Sequence, residues 1–367
     1  QAKKIVKYRI VASGSVGANP PNRTRNHVRP PRGSRMSETI ARPQSRPGIP
    51  ASQPERPPTR LTLRQRLSLL DVKLSPYLYI APFFLLFAVV GLFPLLFTAY
   101  TSLFDWELLD DTGTFIGLEN YVTLVGDDQF WLTLFNTVSI FVLSSGPQIV
   151  IAVLLAALLN TKLRATTGWR VGVLVPYVAS LVAVGIIFGN LFGVQYGLAN
   201  GILETLGLDR INWQANWFAS HVAIAIMVNW RWTGYNTLIV LAAMQAIPRD
   251  LIEAAVMDGA GAVRRFFSVV LPLLRPTLIF VVVTSTIGGL QIFTEPKLFA
   301  DMPGSNNGGA EHQYQTVTLY LYQSGFETGD LGYASAIAWA LFLVIIVFAV
   351  ANFLLTRRIA ASGEADR

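Results

Sequence analysis

Asn229, Arg231, Tyr235 and Asn236 stand beside Trp230 and Trp232 inside an otherwise apolar run, 217–246. A polar or ionisable side chain at membrane depth is costly, so its presence points to a use. Indole and phenol rings present apolar faces, and amides beside them offer donors and acceptors. That combination suits a solute with apolar ring faces and a rim of hydroxyls. Arg231 lies 15 residues before Ala246, roughly 22 Å up a core about 30 Å thick. Two other uses stay open. The tryptophans fit an interfacial aromatic belt, and Arg231 fits a structural pairing with Glu295, the only acid near it in membrane depth. A second polar stretch runs Gly288-Gly289-Leu290-Gln291-Ile292-Phe293-Thr294-Glu295-Pro296. Two glycines weaken a helix and Pro296 is expected to end it. Unwound chain at membrane depth is tolerated where it lines a cavity, which would turn Gln291, Thr294 and Glu295 toward a path. Close helix packing explains the glycine pair equally well.

Catalytic chemistry has few means here. There is no Cys, and His27, His221 and His312 are scattered. Gly-Lys occurs nowhere, which removes the phosphate loop, and no His-Glu-x-x-His is present. We expect no catalytic residue, no metal site, no enzyme activity and no cofactor bound by this chain.

The elements that must carry those polar groups show in the composition. Of 367 residues 52% are apolar and 14% charged, against about a quarter charged in soluble domains. The net charge of +7 is uneven: residues 1–75 hold 16 basic and 3 acidic residues, and 76–367 hold 13 and 19. The tail is thus +13 and the body −6. Residues 1–58, rich in Pro, Arg, Ser and Gly, cannot bury enough surface to fold; they read as a basic cytoplasmic tail near anionic lipid rather than a nucleic-acid binder. Met36 opens a plausible start, with 1–35 upstream. Leu63, Leu67, Leu70 and Leu74 alternate with Arg60, Arg64, Arg66 and Lys73, predicting an amphipathic interfacial helix over 59–75.

Six apolar runs follow, at 77–103, 133–159, 171–192, 217–246, 277–294 and 332–356. Each must be helical, because lipid offers the backbone no other partner. The fold class is therefore all-α and polytopic. Loop 104–132 carries seven acids and no Lys or Arg, whereas loop 160–170 carries Lys162, Arg164 and Arg170 and no acid. Loop 247–276 carries Arg249, Arg264, Arg265 and Arg275, and Arg357-Arg358 follows the last run. Basic residues mark the cytoplasmic side, so both termini are expected inside, with 357–367 a short tail.

Loop 247–276 is long and specific in sequence. From Pro248 it predicts a short helix with Asp250 and Glu253 in its first turns, a break at Gly259 and Gly261, and a second helix over about 262–270 running into Pro272. Either a docking knob or a hairpin that serves only packing would look like this. Its Glu253-Ala254-Ala255, three residues, Gly259, nine residues, Val269, one residue, Leu271-Pro272 resembles the coupling motif of bacterial ABC importer permeases, with Val in place of the usual Ile. Trp230-Arg231-Trp232-Thr233-Gly234-Tyr235-Asn236, Leu174-Val175-Pro176-Tyr177 and Gln195-Tyr196-Gly197-Leu198-Ala199-Asn200 resemble the carbohydrate-uptake branch, maltose-type first subunit.

The resemblance implies a type I ABC importer permease fold over 76–356, in a bacterial cell membrane. It implies pairing with a second permease, two ATP-binding subunits that use the ATP, and an extracytoplasmic sugar-binding protein. Glu253 and Asp258 would be polar contacts to the ATPase, Ala254, Ala255, Gly259 and Ala260 would allow close approach, and Leu271 and Pro272 complete the motif. The Gly-rich stretch Pro303–Gly309 would face the binding protein. Asn229, Trp230, Arg231, Trp232, Tyr235, Asn236, Gln291, Thr294 and Glu295 would then belong to the path of a di- or oligosaccharide. Ile287 to Lys297 looks most like cellobiose or β-glucoside permeases, with trehalose or maltose as rivals. The alternative class is an ion-coupled secondary transporter.

Overall fold

The computed structural model describes residues 63–161, 164–299 and 307–365. The chain divides into two units, Gln1–Leu69 and Leu70–Arg367. Only the opening turns of a helix are described in the first. The expected tail, 1–58, lies outside the described residues, as do 59–62 of the expected interfacial helix. Residues 63–75 belong to α1 (Leu63–Leu86), which has no break at 75.

A π-helical segment, Phe87–Leu92, joins α1 to α2 (Phe93–Thr101). This first span, Leu74–Thr101, is unburied along its most apolar stretch. A two-stranded hairpin follows, β1 (Phe104–Asp105) antiparallel to β2 (Thr114–Phe115) with Phe104 opposite Phe115. After α3 (Glu119–Val125) comes α4 (Asp128–Leu159). Asp127 caps α4, its carboxylate accepting the Gln129 N–H at 2.9 Å; such a cap satisfies a donor that the first turn otherwise leaves open.

The expected third span, 171–192, is not one helix. α5 (Thr166–Val178) and α6 (Leu181–Leu191) meet at 87°. Pro176 lies inside α5 and removes a hydrogen bond just before the break, a usual origin of sharp bends. α7 (Leu198–Thr205) leads to α8 (Trp217–Gln245), whose N-cap Asn216 accepts the Ala219 N–H at 2.9 Å.

After α8 the chain forms α9 (Arg249–Met257) and α10 (Ala262–Arg265), and through a π-helical segment, Phe266–Val270, reaches α11 (Leu271–Leu273). The predicted second knob helix thus runs through Pro272 to Leu273. It bends by 68° at Leu274 into α12 (Arg275–Leu290). The expected fifth span stops at Leu290, one residue beyond the glycine pair, rather than at 294. Pro296 does not end it; it sits within the short α13 (Thr294–Leu298), where a proline in a first turn costs no hydrogen bond. α14 (Val317–Tyr322) precedes α15 (Leu331–Ala365). The last span and the expected tail up to 365 thus form one helix.

Among the described residues three helices are long and apolar enough to cross a membrane, or five if each bent pair is one span. α8, the expected fourth span, is not among them; it carries His221, Asn229, Arg231 and Asn236 within its 29 residues.

Lipid gives no hydrophobic drive for helix association, so close packing and interhelical hydrogen bonds must hold the bundle. α4 and α8 form its axis, with Ile140 packed in one cluster with Ala223, Ile224 and Met227 and Ala156 in another with Val240 and Leu241. At Gly234 the α8 backbone meets α5 so closely that a Cβ would lie 1.8 Å from the Val173 carbonyl oxygen. Three apolar clusters line the axis: Phe130–Leu290–Ile337, Ile140–Phe188–Met227–Tyr314, and Ala156–Val240–Leu274–Val281.

Candidate functional site

A helix turns about 100° per residue, so residues three and four apart share a face. The polar segment of α8 obeys this. Arg231, Trp232, Tyr235 and Asn236 line one cavity of about 250 Å³, together with Gln291, Thr294 and Glu295 from the break after α12. Asn229 and Trp230 face a different groove of about 610 Å³ between α4, α5 and α8, walled by Leu143, Ile151 and Val173. Seven of the nine expected path residues are therefore brought together, and two are turned away. Asn229 donates back to the Ala225 carbonyl of its own helix at 3.0 Å, and the Trp230 ring packs on Phe188 with centroids 5.6 Å apart.

The unwound stretch exists because another segment accepts what the helix gives up. The Ile292 carbonyl, freed where α12 ends, accepts the Thr316 hydroxyl at 2.9 Å and is also bonded by Thr318. The segment behind these threonines is buried, with Tyr314, Gln315, Thr316 and Val317 fully covered. It is anchored by Asn136, whose amide donates to the His312 carbonyl at 2.9 Å and the Gln315 carbonyl at 3.1 Å. His221 bridges Ser139 at 2.9 Å and the Gln313 carbonyl at 3.0 Å. Gly308 and Gly309, the described end of the Gly-rich stretch, are buried with φ of +97° and +94°, and a Cβ on either would collide with Gln315 or Gln313. They make a tight turn against the bundle, not an open surface for a partner; residues 303–306 lie outside the described residues.

Held by this scaffold, Glu295 is buried and pairs with Arg231, Nη1 to Oε1 at 2.9 Å. The two charges thus cancel, which relieves the cost of either one alone. Arg231 Nε is buried without a partner, and the guanidinium carbon lies 5.3 Å from the Trp232 ring centre. Asn236 donates to Gln148 Oε1 at 3.1 Å and to Ser285 Oγ at 3.3 Å. Tyr177 stacks on Tyr235 at 5.0 Å and meets Trp232 edge-on at 5.2 Å, so α5 fixes the two rings that α8 presents. Gln148, Ser145, Thr284, Ser285 and Tyr177 escaped sequence reasoning. Gln148 carried a signal, a polar amide in a span beside Gly146-Pro147. The serines and threonine carried little, since a hydroxyl bonded back to its own helix is common in spans. Lys297 stays outside the cavity lining, its Nζ 3.5 Å from the Tyr322 ring centre.

On the knob, Glu253, Ala254, Asp258 and Gly259 are exposed, and Ala260, Leu271 and Pro272 half-buried. Ala255 is buried instead, so its small size serves packing within the knob. The turn is a Schellman motif: the Ala260 N–H bonds the Ala255 carbonyl at 2.9 Å and the Gly259 N–H bonds Val256 at 3.0 Å. Gly259 has φ +76°, and a Cβ there would meet nothing within 4 Å. Around it Met257, Val263 and Phe267 present large apolar surface.

At the other end of α4, Asp127 Oδ2 accepts the Tyr320 and Tyr333 hydroxyls, each at 2.6 Å. Burial alone would raise its carboxyl, but these bonds and the backbone N–H groups of Gln129 and Phe130 hold it below the ordinary value of 3.8. Burial, reinforced by Asp127, pushes the Tyr320 phenol up to about 12. No group of three or more His, Asp or Glu among the described residues is placed to hold a metal.

Comparison with known proteins bears on both regions. Residues 76–361 match the family described as binding-protein-dependent transport system inner membrane component. The chain is 34% identical over 287 residues to the arabinooligosaccharides transport system permease protein of Halalkalibacterium halodurans, covering 77% of this chain and 88% of that one. It is 36% identical over 285 residues to the lactose transport system permease protein of Rhizobium radiobacter, covering 77% and 93%. To the trehalose/maltose transport system permease protein of Thermococcus litoralis it is 32% identical over 288 residues, covering 78% and 95%. A crystal structure of a bacterial ABC transporter involved in the import of the acidic polysaccharide alginate shares the fold, with a TM-score of 0.67 at 20% identity, over 80% of this chain and 99% of that one.

Proposed function

This chain belongs to the family of binding-protein-dependent transport system inner membrane components, and on that premise we propose that it forms one half of the path by which an ATP-driven importer carries a di- or oligosaccharide. It is a multi-pass membrane permease and not an enzyme. The observation that carries the sugar path is the cavity where Trp232 and Tyr235 stand beside Asn236, Gln148, Ser285 and Gln291. Aromatic faces cover a sugar ring, and amides and hydroxyls exchange hydrogen bonds with its rim. The names of the relatives, covering arabinooligosaccharides, lactose and trehalose/maltose, support the same class. At about 250 Å³ the cavity is small for a ligand pocket, which typically spans ~300–1,000 Å³. A second permease closing over it would complete the enclosure.

Energy enters through the knob. Its rigid Gly259 turn and apolar rim suit insertion into a cleft of a separate ATP-binding subunit, with Glu253 and Asp258 as the polar contacts. Closure of two such subunits would tilt α9 and α10 and, through the bend at Leu274, move α12 and the break that carries Glu295. An external sugar-binding protein would deliver the solute to the opposite side. Both termini lie in the cytoplasm in this arrangement.

The test is sugar uptake by the assembled transporter with its ATP-binding subunits inactivated. Uptake falls to background. Uptake that continued on a proton or sodium gradient would overturn the ATP-driven assignment in favour of a secondary transporter.

A further inference from the structure

Resting on the path assignment above, we infer that the Arg231–Glu295 pair is a charge-specificity element that makes this path select uncharged saccharides over acidic ones. The cavity lining contains one cation and one anion, and they are bonded to each other at 2.9 Å. A carboxylate- or phosphate-bearing solute therefore finds the only cationic group of the lining already taken, with Glu295 beside it to repel. Arg231 is nonetheless not saturated. Of the five N–H donors of a guanidinium, one Nη1 donor is bonded to Glu295, so directional donors remain that a neutral hydroxyl could use. Lys297, the nearest other cation in sequence, is held over Tyr322 at 3.5 Å and does not line the cavity. Everything else in the lining that can bond a solute is an amide, a hydroxyl or an aromatic ring. Selectivity of this kind works as much by what the site refuses as by what it binds.

Glu295 sets the charge preference, and Arg231 is the residue it masks. Removing the Glu295 charge would expose a guanidinium able to hold an anionic sugar by charge-assisted hydrogen bonds. Removing Arg231 alone would leave an unmasked carboxylate that repels anions further. Removing both charges would restore a neutral lining and the neutral preference.

The experiment is equilibrium binding to the assembled transporter in nanodiscs, without the external binding protein. The probes are maltose, lactose and cellobiose as neutral disaccharides and digalacturonate as the acidic one. Wild type binds at least one neutral disaccharide more tightly than digalacturonate. Glu295→Gln raises the ratio of acidic to neutral affinity by about tenfold or more, in a salt-sensitive way. Arg231→Gln lowers it, and the double variant returns it to near wild type. An unchanged ratio in Glu295→Gln overturns the inference while leaving the path assignment standing. Binding of neither class to wild type or any variant overturns the path assignment itself. Should Glu295→Gln fail to assemble, the Arg231→Gln and double variants carry the test: a double variant that prefers the acidic sugar overturns the inference.

Discussion

Asp127 shows how one side chain outside the spans ties distant segments together. Its carboxylate caps α4 and accepts two phenols, from α14 and α15. Because the folded carboxyl titrates below its ordinary value of 3.8, its contribution is fully present above that value and is lost as pH falls through the lowered native one. With the Tyr320 phenol pushed up to about 12, that donor stays protonated throughout. Asp127→Asn is expected to cost about 1 kcal/mol at neutral pH, kept at the low end because the carboxylate is partly exposed. The melting temperature of the detergent-purified variant should also fall less steeply than that of wild type on acidification below about pH 4. Parallel acid profiles would count against the clasp. The same scale explains why Trp230 left the path: it stands two residues from Trp232, and a two-residue step crosses to another face of the helix, whereas Asn229 is turned away by its bond to the Ala225 carbonyl.

In the proposed function the knob and the break after α12 are the working elements, and both depend on backbone geometry. Gly259 sits at φ +76° with open space where a side chain would go. A β-branched residue there pays about 1–2 kcal/mol for the left-handed conformation, whereas Asn tolerates it. Gly259→Asn is therefore expected to insert and accumulate like wild type, yet to lose most ATP-driven uptake because its side chain fills the docking face. Gly259→Val should fail at both. Uptake at the wild-type rate in a normally inserted Gly259→Asn protein would sink the docking role. The break needs outside help, since the freed Ile292 carbonyl is bonded by Thr316 and Thr318 from a buried segment far along the chain.

At the scale of the molecule, the division of charge is expected to set the arrangement across the membrane. Acidic residues crowd 104–132 and basic ones 160–170 and 247–276, so a C-terminal reporter active only in the cytoplasm should be active, and one inserted near Leu109 should be silent. The reverse result would invert the topology. Leu109 is 95% exposed, which makes it a tolerant insertion point. The sequence by itself determined the helical class, the positions of the long apolar helices, and the family through the spacing from Glu253 to Pro272. Those properties are local, because apolar length, charge and motif spacing are read within one segment. Only the tertiary structure decided that 171–192 breaks at 87° and that the stretch at Gly308 folds inward. It also decided that Arg231 meets Glu295, that Gln148 and Ser285 take the Asn236 amide, and that Tyr177 stacks on Tyr235. Each of these depends on which distant groups arrive to take a freed carbonyl, fill a close contact or neutralise a charge, and one segment read alone carries no record of its neighbours in space.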